Sequence, residues 1–501
     1  MPTHPDDDSP AADRTGPGAV VARPEAPPEV VVVHEEPPRP DPTTPVPGMP
    51  DQISEALTAI EAARSAAAVG DAAGTIRALR ALPEPLLLAD GGTFGAVAGL
   101  VASAARAAGF EELASSAEQA RDNPEEPHAL YGYGYNCVER GVAYLAVPAL
   151  MRALTRAPHA GTVRMELVSA LEAEARHAEA VEVLAGSDAT DQWTGRYLLV
   201  FNSLMAGDVE GANQWYTRLG RPPERRQEAM AARLTAMLSR VQLLLGVELL
   251  DDAVPSRDDP RGTLGAADLR GWHFALNGGL LTTLSPYGAD AGMNGRYAYL
   301  AETYASCHWG LRRLATVLTA AGRRPPTVGL LQDRSSRILG MAAAEVLGVR
   351  AWDWRPQMEG ALVIAYSLAD SAPHVLNGLS GAPGQILMEH ATSWTDPPAV
   401  AADITTFLHQ VVVPPWAARQ LPAAGGEGWV DEPPDLRPER EIAAEILAAP
   451  AVPDPGDGTA PADPEYGLAT FADRIAPLWA RGQGQRDRVW SPGPVRSSRF
   501  W

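Results

Sequence analysis

Two predicted strand ends in the C-terminal half of the chain carry side chains that could do acid–base chemistry. The apolar run 327–331 is followed by Asp333 and Arg334, and the run 385–389 ends on Glu389, which precedes His390. Because the carboxyl ends of parallel strands meet at one edge of a sheet, we expect these four side chains to converge. Carboxylates, an imidazole and a guanidinium around one pocket would suffice for catalysis on a small anionic substrate.

The same region predicts an anion-binding site. Ser335 and Ser336 stand where a helix over 335–348 would begin, so either can cap it. The free backbone amides of that helix, together with Arg334, are suited to holding a phosphate or carboxylate. The alternative is purely structural: Asp333 would cap the helix or pair with Arg334, and His390 would be a buried residue with satisfied hydrogen bonds.

The pattern over 271–415 is typical of an α/β domain. Apolar runs long enough for buried strands alternate with amphipathic runs, which favours a mostly parallel sheet covered on both faces. The outline resembles phosphoribosyltransferase-type α/β domains, although the paired acidic residues and Gly/Thr-rich loop of that family are missing from VIAYSLADSAP. The predicted elements are helices at 296–321, 335–348 and near 400–410, and strands at 327–331, 350–354, 361–366 and 385–389.

Common catalytic motifs are absent from the sequence. There is no Gly-x-Ser-x-Gly elbow and no Gly-x-Gly-x-x-Gly loop. Cys307 and His308 are adjacent on a predicted helix, but no further metal-ligand pattern accompanies them, so a core thiol is favoured over a metal site. We therefore predict no metal and no cofactor.

Composition excludes several classes of function. All 41 basic residues of the 501 are arginine, which argues against P-loop, protein kinase and Schiff-base chemistry, since each requires a lysine. The net charge of −21 argues against nucleic-acid or anionic-membrane partners. Two widely separated cysteines, with no secretory signal and no apolar run near the ~20 residues of a spanning helix, predict a cytoplasmic protein.

Small residues recur at the period of a helical hairpin over 51–245. Gly141, Ala175 and Gly207 are separated by 34 and 32 residues, and Gly70 and Gly109 extend the series towards the N-terminus. The pattern resembles the tetratricopeptide repeat family. The motif residues that match it are Gly134, Ala146, Ala153 and Pro158, then Leu167, Ala180 and Leu184, then Trp193, Leu199 and Ala212.

This resemblance implies a solenoid whose first helices line a groove for a protein or peptide partner. The groove face would combine aromatic anchors with polar groups, which suits peptide binding. Its expected residues are Tyr131, Tyr135, Glu139, Met165, Ser169, Glu172, Tyr197 and Phe201.

The sequence thus predicts five regions and two functions. The leading hypothesis is a protein-interaction adaptor with an accessory α/β module, and the alternative is an enzyme or ligand sensor for a small anion in the α/β domain. Oligomeric state is not predicted. The regions are a disordered Pro-rich acidic tail (1–50), the repeats (51–245), a linker (246–270), the α/β domain (271–415) and a Pro-rich region with short helices and an Arg/aromatic tail (416–501).

Overall fold

The computed structural model divides the chain into two compact units, Met1–Ala189 and Thr190–Trp501. The predicted domain boundary near 245 does not coincide with that division. The predicted disordered tail lies outside the described residues, apart from its last two, as do most of the predicted linker and Arg499–Trp501. The structure describes residues 49–246, 264–369, 371–379, 382–422, 429–479 and 486–498.

The first unit is helical throughout its described part. Successive helices pack as antiparallel hairpins, α1 with α2, α4 with α5, α6 with α7 and α8 with α9. The helices are α1 (Met49–Ala68), α2 (Ala72–Leu79), α3 (Glu84–Ala89), α4 (Gly91–Ala107), α5 (Glu111–Asp122), α6 (Pro127–Glu139), α7 (Ala143–Arg156), α8 (Gly161–Ala173) and α9 (His177–Ala185).

The five predicted turn residues all adopt a left-handed backbone. Gly70, Gly109, Gly141 and Gly207 have φ between 73° and 81°, and Ala175 has φ 54°. Glycine reaches this conformation without strain, which is why it recurs at the turns. Gly134 serves packing instead, since a Cβ there would lie 2.6 Å from Leu150 Cγ on the paired helix.

Ala175 is the strained member of this series. A left-handed conformation costs a residue with a Cβ roughly 1–2 kcal/mol relative to glycine. We therefore expect Ala175→Gly to raise the free energy of unfolding by about 0.5–1 kcal/mol, after the greater chain entropy of glycine is subtracted. Gly141→Ala should lower the free energy of unfolding by a similar amount. A Cβ at this position meets no atom within 4 Å, so the cost comes only from the left-handed backbone conformation. Urea denaturation of both variants tests the pair, and equal effects of the same sign would contradict it.

The second unit combines helices with a parallel sheet. A helical hairpin, α10 (Trp193–Ala206) with α11 (Val209–Leu219), and the long helix α12 (Arg225–Leu245) precede the sheet in the chain. The further helices are α13 (Leu269–Asn277), α14 (Tyr304–Ala320), α15 (Arg334–Leu347), α16 (Pro373–Gly378), α17 (Glu439–Ala448) and α18 (Glu465–Ile475).

Seven strands form one sheet in which every pairing is parallel. The order is β1-β7-β6-β5-β3-β4, with β2 pairing beyond β1 along the same edge of β7. A separate antiparallel pair, β8 with β9, follows. The strands are β1 (Leu280–Leu281), β2 (Tyr297–Ala301), β3 (Thr327–Leu330), β4 (Arg350–Asp353), β5 (Leu362–Ala365), β6 (Ile386–Ser393), β7 (Ile404–Val413), β8 (Arg419–Pro422) and β9 (Trp429–Glu432).

The mostly parallel sheet confirms the predicted α/β class, but one predicted helix begins too early and another is a strand. The run 296–321 divides into strand β2 and helix α14, because Thr303 and Ser306 form a capping box that starts the helix only after the strand has ended. The predicted helix near 400–410 is strand β7, whose sequence ITTFLHQVVV is dominated by β-branched and aromatic residues.

Residues 486–498 pack against the α/β part of the same unit. Val489 and Val495 are buried, and Arg486 donates to Asp403 at 2.6 Å. The described part of this segment is therefore packed into the domain. No helix within the described residues is both long and apolar enough to cross a membrane.

Candidate functional site

A pocket of about 220 Å³ lies within the second unit, beside the carboxyl end of β6. Its walls come from helix α13, from the residue before β2, from the loop after β6 and from the C-terminal segment. Ligands in open parallel sheets bind at this edge. The lining includes Trp272, His273, Arg296, Ser393, Trp394 and Arg488, with Trp490 and Asp396 among the remainder.

Arg296 is the most unusual group of the pocket. Its side chain is only 3% exposed, and its Nη2 donates to the carbonyl of Val495 at 2.7 Å. Its Nη1 has no hydrogen-bond partner among the described residues, and no described carboxylate lies within ion-pair distance. Burial lowers the pKa of Arg296 to about 10, so the guanidinium stays charged at neutral pH. A buried, uncompensated cation is costly unless an anion binds to it.

Arg488 supplies a second buried guanidinium, which lies close to the carboxylate of Glu389. The two side chains approach to 3.8 Å, and Arg488 also donates to the carbonyls of Pro398 and Val400. Glu389 accepts from the backbone amide of Leu368 at 2.7 Å. Burial raises the pKa of Glu389 even though Arg488 opposes the shift. Glu389 is therefore a residue that positions Arg488.

Apart from the exposed Asp396, the rest of the pocket lining carries no negative charge and is largely aromatic. Burial, reinforced by Arg488 and Arg296, lowers the pKa of His273 to about 3, so its imidazole is neutral at neutral pH. The Arg296 guanidinium lies 5.7 Å from the ring centroid of Trp394, in cation–π range. Asp396 lines the pocket from an exposed position and forms no described ion pair with either arginine.

A second polar cluster is fully enclosed at the carboxyl edge of the same sheet. Glu302 follows β2, Tyr366 follows β5 and His390 lies in β6. His390 Nε2 lies 2.9 Å from Glu302 Oε1, and the Tyr366 hydroxyl donates to the other carboxylate oxygen. Helix α14 can approach the His390 ring because residue 310 is glycine, where a Cβ would lie 2.7 Å from His390 Cε1.

The electrostatics of this cluster favour a charged Glu302 carboxylate. Burial raises the pKa of Glu302, but the charge of His390 and hydrogen bonds from His390, Tyr366 and Ser306 outweigh it, so the net pKa is lowered. Burial and the nearby Glu302 carboxylate raise the pKa values of Cys307 and Tyr366 well above their usual range. Cys307 is therefore a neutral thiol and a poor nucleophile in this state.

The four candidate catalytic residues do not share one set of contacts. Glu389 supports Arg488, whereas His390, its neighbour in the strand, contacts Glu302, as expected for adjacent residues that point to opposite faces. Asp333 caps α15 by accepting from the Ser336 amide, and Arg334 donates to the carbonyl of Arg437.

The predicted anion site at the start of α15 is already engaged by the protein. Ser335 Oγ accepts from the indole of Trp416 at 2.9 Å, and Ser336 Oγ accepts from the Tyr366 amide at 2.9 Å. Ser336 and Trp416 are both buried, so the end of this helix is covered from outside. The two serine hydroxyls therefore stabilise the structure around Tyr366. The unpaired guanidinium nitrogen, Arg296 Nη1, lies in the pocket described above.

The predicted groove residues fall on first helices of the hairpins. In the first unit, Tyr135 is 43% exposed and Glu139 is exposed, while Tyr131, Met165, Ser169 and Glu172 are half-buried. In the second unit, Tyr197 is buried and stacks on the half-buried Phe201 with ring centroids 6.3 Å apart. Tyr197 therefore acts as a core residue of its own unit.

The sequence did not predict five residues of these sites, namely Arg296, Arg488, His273, Glu302 and Tyr366. The signal for Glu302 was the strand YAYLA directly before it, which a helical interpretation of 296–321 concealed. For Arg296 and Arg488 the sequence carries no motif, because they meet across 192 residues of chain through the packing of the C-terminal segment. No family model matches the chain, and neither a curated protein nor a solved structure shows a significant match to it.

Proposed function

We propose that the α/β part of the second unit binds a small ligand that carries a carboxylate or phosphate group and a flat apolar body. The observation that carries this proposal is the Arg296 guanidinium, which is buried, charged and unpaired at Nη1. A planar guanidinium pairs with an oxyanion through two hydrogen bonds, and burial strengthens both. Arg488, at the same pocket, adds a second positive charge.

The size and walls of the pocket narrow the ligand class. Since a water molecule occupies about 30 Å³, the pocket has room for roughly seven waters, which is less than a nucleotide needs. Indole and aliphatic side chains, among them Trp272, Trp394 and Leu408, line the space beside the guanidinium. A monocarboxylate or monophosphate with a single small ring fits this combination.

This proposal can be tested in solution with 4-fluorobenzoate as the probe. We expect the full-length protein to broaden and shift its ¹⁹F resonance, with a Kd on the order of 1 mM or tighter for a ligand of this size. Competition separates the two sources of the anion: displacement by phosphate favours a phosphate ligand, and displacement by acetate or benzoate favours a carboxylate. A resonance unchanged at millimolar protein would contradict the proposal.

We propose as a second function that the helical hairpins of the first unit bind a basic peptide, in the manner of a repeat adaptor. The supporting observation is a surface on α6 and α8 where aromatic rings and carboxylates lie together. The rings of Tyr131 and Tyr135 are 6.3 Å apart. Glu139 lies one helical turn after Tyr135 on α6, and Glu166 lies on α8. The charge of Glu139, then burial, then the charge of Glu166 raise the pKa of Tyr135. Arginine side chains bind such surfaces by cation–π and ionic contacts.

We expect Tyr135→Ala combined with Glu139→Gln to weaken binding of a fluorescein-labelled Arg/Ala peptide about tenfold, because the change removes one ring face and one carboxylate. Fluorescence anisotropy measures the affinity, which should also fall as salt is added. Glu182→Gln, an exposed change on the second helix α9, is the matched control and should leave affinity unchanged. Equal binding of a Glu/Ala peptide would contradict the proposal.

A further inference from the structure

We infer that the enclosed cluster of Glu302, Cys307 and His390 is a zinc site. The three side chains come from the end of β2, from helix α14 and from β6, and they each offer a different ligand atom. Those ligand atoms lie within 4.8 Å of one another, and all three residues are fully buried. This site is separate from the anion pocket and does not depend on the function proposed for it.

The distances are close to those of a tetrahedral ion. With Zn–O and Zn–N bonds near 2.0 Å and Zn–S near 2.3 Å, tetrahedral ligands lie about 3.3 Å (N to O) and 3.5 Å (S to O) apart. Here His390 Nε2 lies 2.9 Å and Cys307 Sγ lies 3.9 Å from Glu302 Oε1. Shifts of about 0.4 Å would bring these two pairs to tetrahedral spacing. The distance from Cys307 Sγ to the imidazole nitrogen, which lies within 4.8 Å, would also have to become about 3.5 Å.

The charges and the donor types both favour zinc. A Zn²⁺ ion with one carboxylate, one thiolate and a neutral imidazole is electrically neutral, which suits an enclosed site. Mixed S, N and O ligation is typical of zinc, whereas magnesium and calcium take oxygen ligands. The fourth position would be filled by a water or by Tyr366 Oη, which already contacts Glu302.

The surroundings resemble the outer shell of a metal site. Ser306 Oγ donates to Glu302 Oε1 at 3.2 Å and the Tyr366 hydroxyl donates to Oε2, so both hold the carboxylate in place. His390 Nδ1 has no hydrogen-bond partner among the described residues. The described hydrogen bond of this ring is therefore the one between Nε2 and Glu302. Because the cluster is enclosed, the ion would enter as the chain folds and would exchange slowly afterwards.

The test measures metal content of the untagged full-length protein by mass spectrometry of the digested sample after exhaustive dialysis. We expect about one zinc per chain in the wild type and a loss of at least 80% in Cys307→Ala. Cys137→Ala is the matched control, since Cys137 is also a buried free thiol, and it should retain the metal. His308→Gln should likewise retain it, because His308 Nδ1 contacts the carbonyl of Ala449 instead.

A second measurement covers a variant that fails to fold. Wild-type protein refolded with Co²⁺ should show thiolate-to-cobalt charge-transfer absorption in the near ultraviolet, as should Cys137→Ala. Wild-type protein that carries no zinc and shows no such band after refolding with cobalt would overturn the inference. Equal loss of metal from Cys137→Ala would overturn it as well.

Discussion

Arg296→Met is expected to weaken binding of 4-fluorobenzoate by about 100-fold. The substitution keeps the aliphatic stem but removes the guanidinium, and charge-assisted hydrogen bonds of this kind contribute roughly 1.5–3 kcal/mol each. The free protein should remain folded, because methionine also removes the charge that burial disfavours. Titration of the ¹⁹F resonance measures the affinity, and the thermal midpoint without ligand checks the fold.

Two further variants separate charge from geometry. Arg296→Lys keeps a cation but loses the planar fork, so we expect an affinity about tenfold below that of the wild type. Arg323→Gln removes an arginine that donates to the Trp479 carbonyl and does not line the pocket, so it should bind normally. Wild-type affinity in Arg296→Met, or an equal loss in Arg323→Gln, would show that the probe binds elsewhere.

Glu302→Ala is expected to lower the free energy of unfolding of its unit by about 3–5 kcal/mol. The change leaves the buried polar groups of His390 and Tyr366 without their shared partner. Each buried polar group that loses its hydrogen-bond partner stays desolvated and costs roughly 1–3 kcal/mol, and a partner that was charged makes the loss larger. For a unit of this size, the loss corresponds to a fall of roughly 10 °C in the midpoint of thermal unfolding. Near-ultraviolet circular dichroism measures this midpoint.

In the metal-free protein, the effect should depend on pH. The pKa of Glu302 is below its ordinary value of 4.5 in the folded protein, so the carboxylate stabilises the fold above that pH. This stabilisation is lost as the pH falls through the folded pKa, and the difference between variant and wild type should shrink there. Glu224→Ala is the control, since both side chains of its ion pair with Arg226 are exposed and the pair should contribute less than about 1 kcal/mol. Similar losses in both variants would contradict the account.

The helical half of the chain was predictable because its signals are local. A hairpin needs a left-handed residue at the turn and small residues where the helices meet, and both requirements are visible in the spacing of Gly109, Gly141 and Ala175. Gly134 packs against Leu150 for the same reason. Membership of a particular repeat family did not follow, because such turns occur in many helical hairpins.

The candidate sites were less predictable because they depend on long-range packing. His390 and Glu389 were predicted to be strand-end residues. Neighbouring residues of a strand point to opposite faces of the sheet, and the sequence does not show which side chains lie on each face. Glu302 finds His390 across 88 residues of chain, and Arg296 reaches the pocket that Arg488 completes. Such contacts follow from the strand order, in which β7 separates β2 from β6.

The most direct test of the anion pocket is a crystal structure of the full-length protein with 4-bromobenzoate, located by the anomalous signal of bromine. We expect a carboxylate within hydrogen-bond distance of Arg296 Nη1 and a bromine peak among the indoles of Trp272, Trp394 and Trp490. A bromine peak at another site, or an empty pocket at a ligand concentration that saturates the protein in solution, would contradict it.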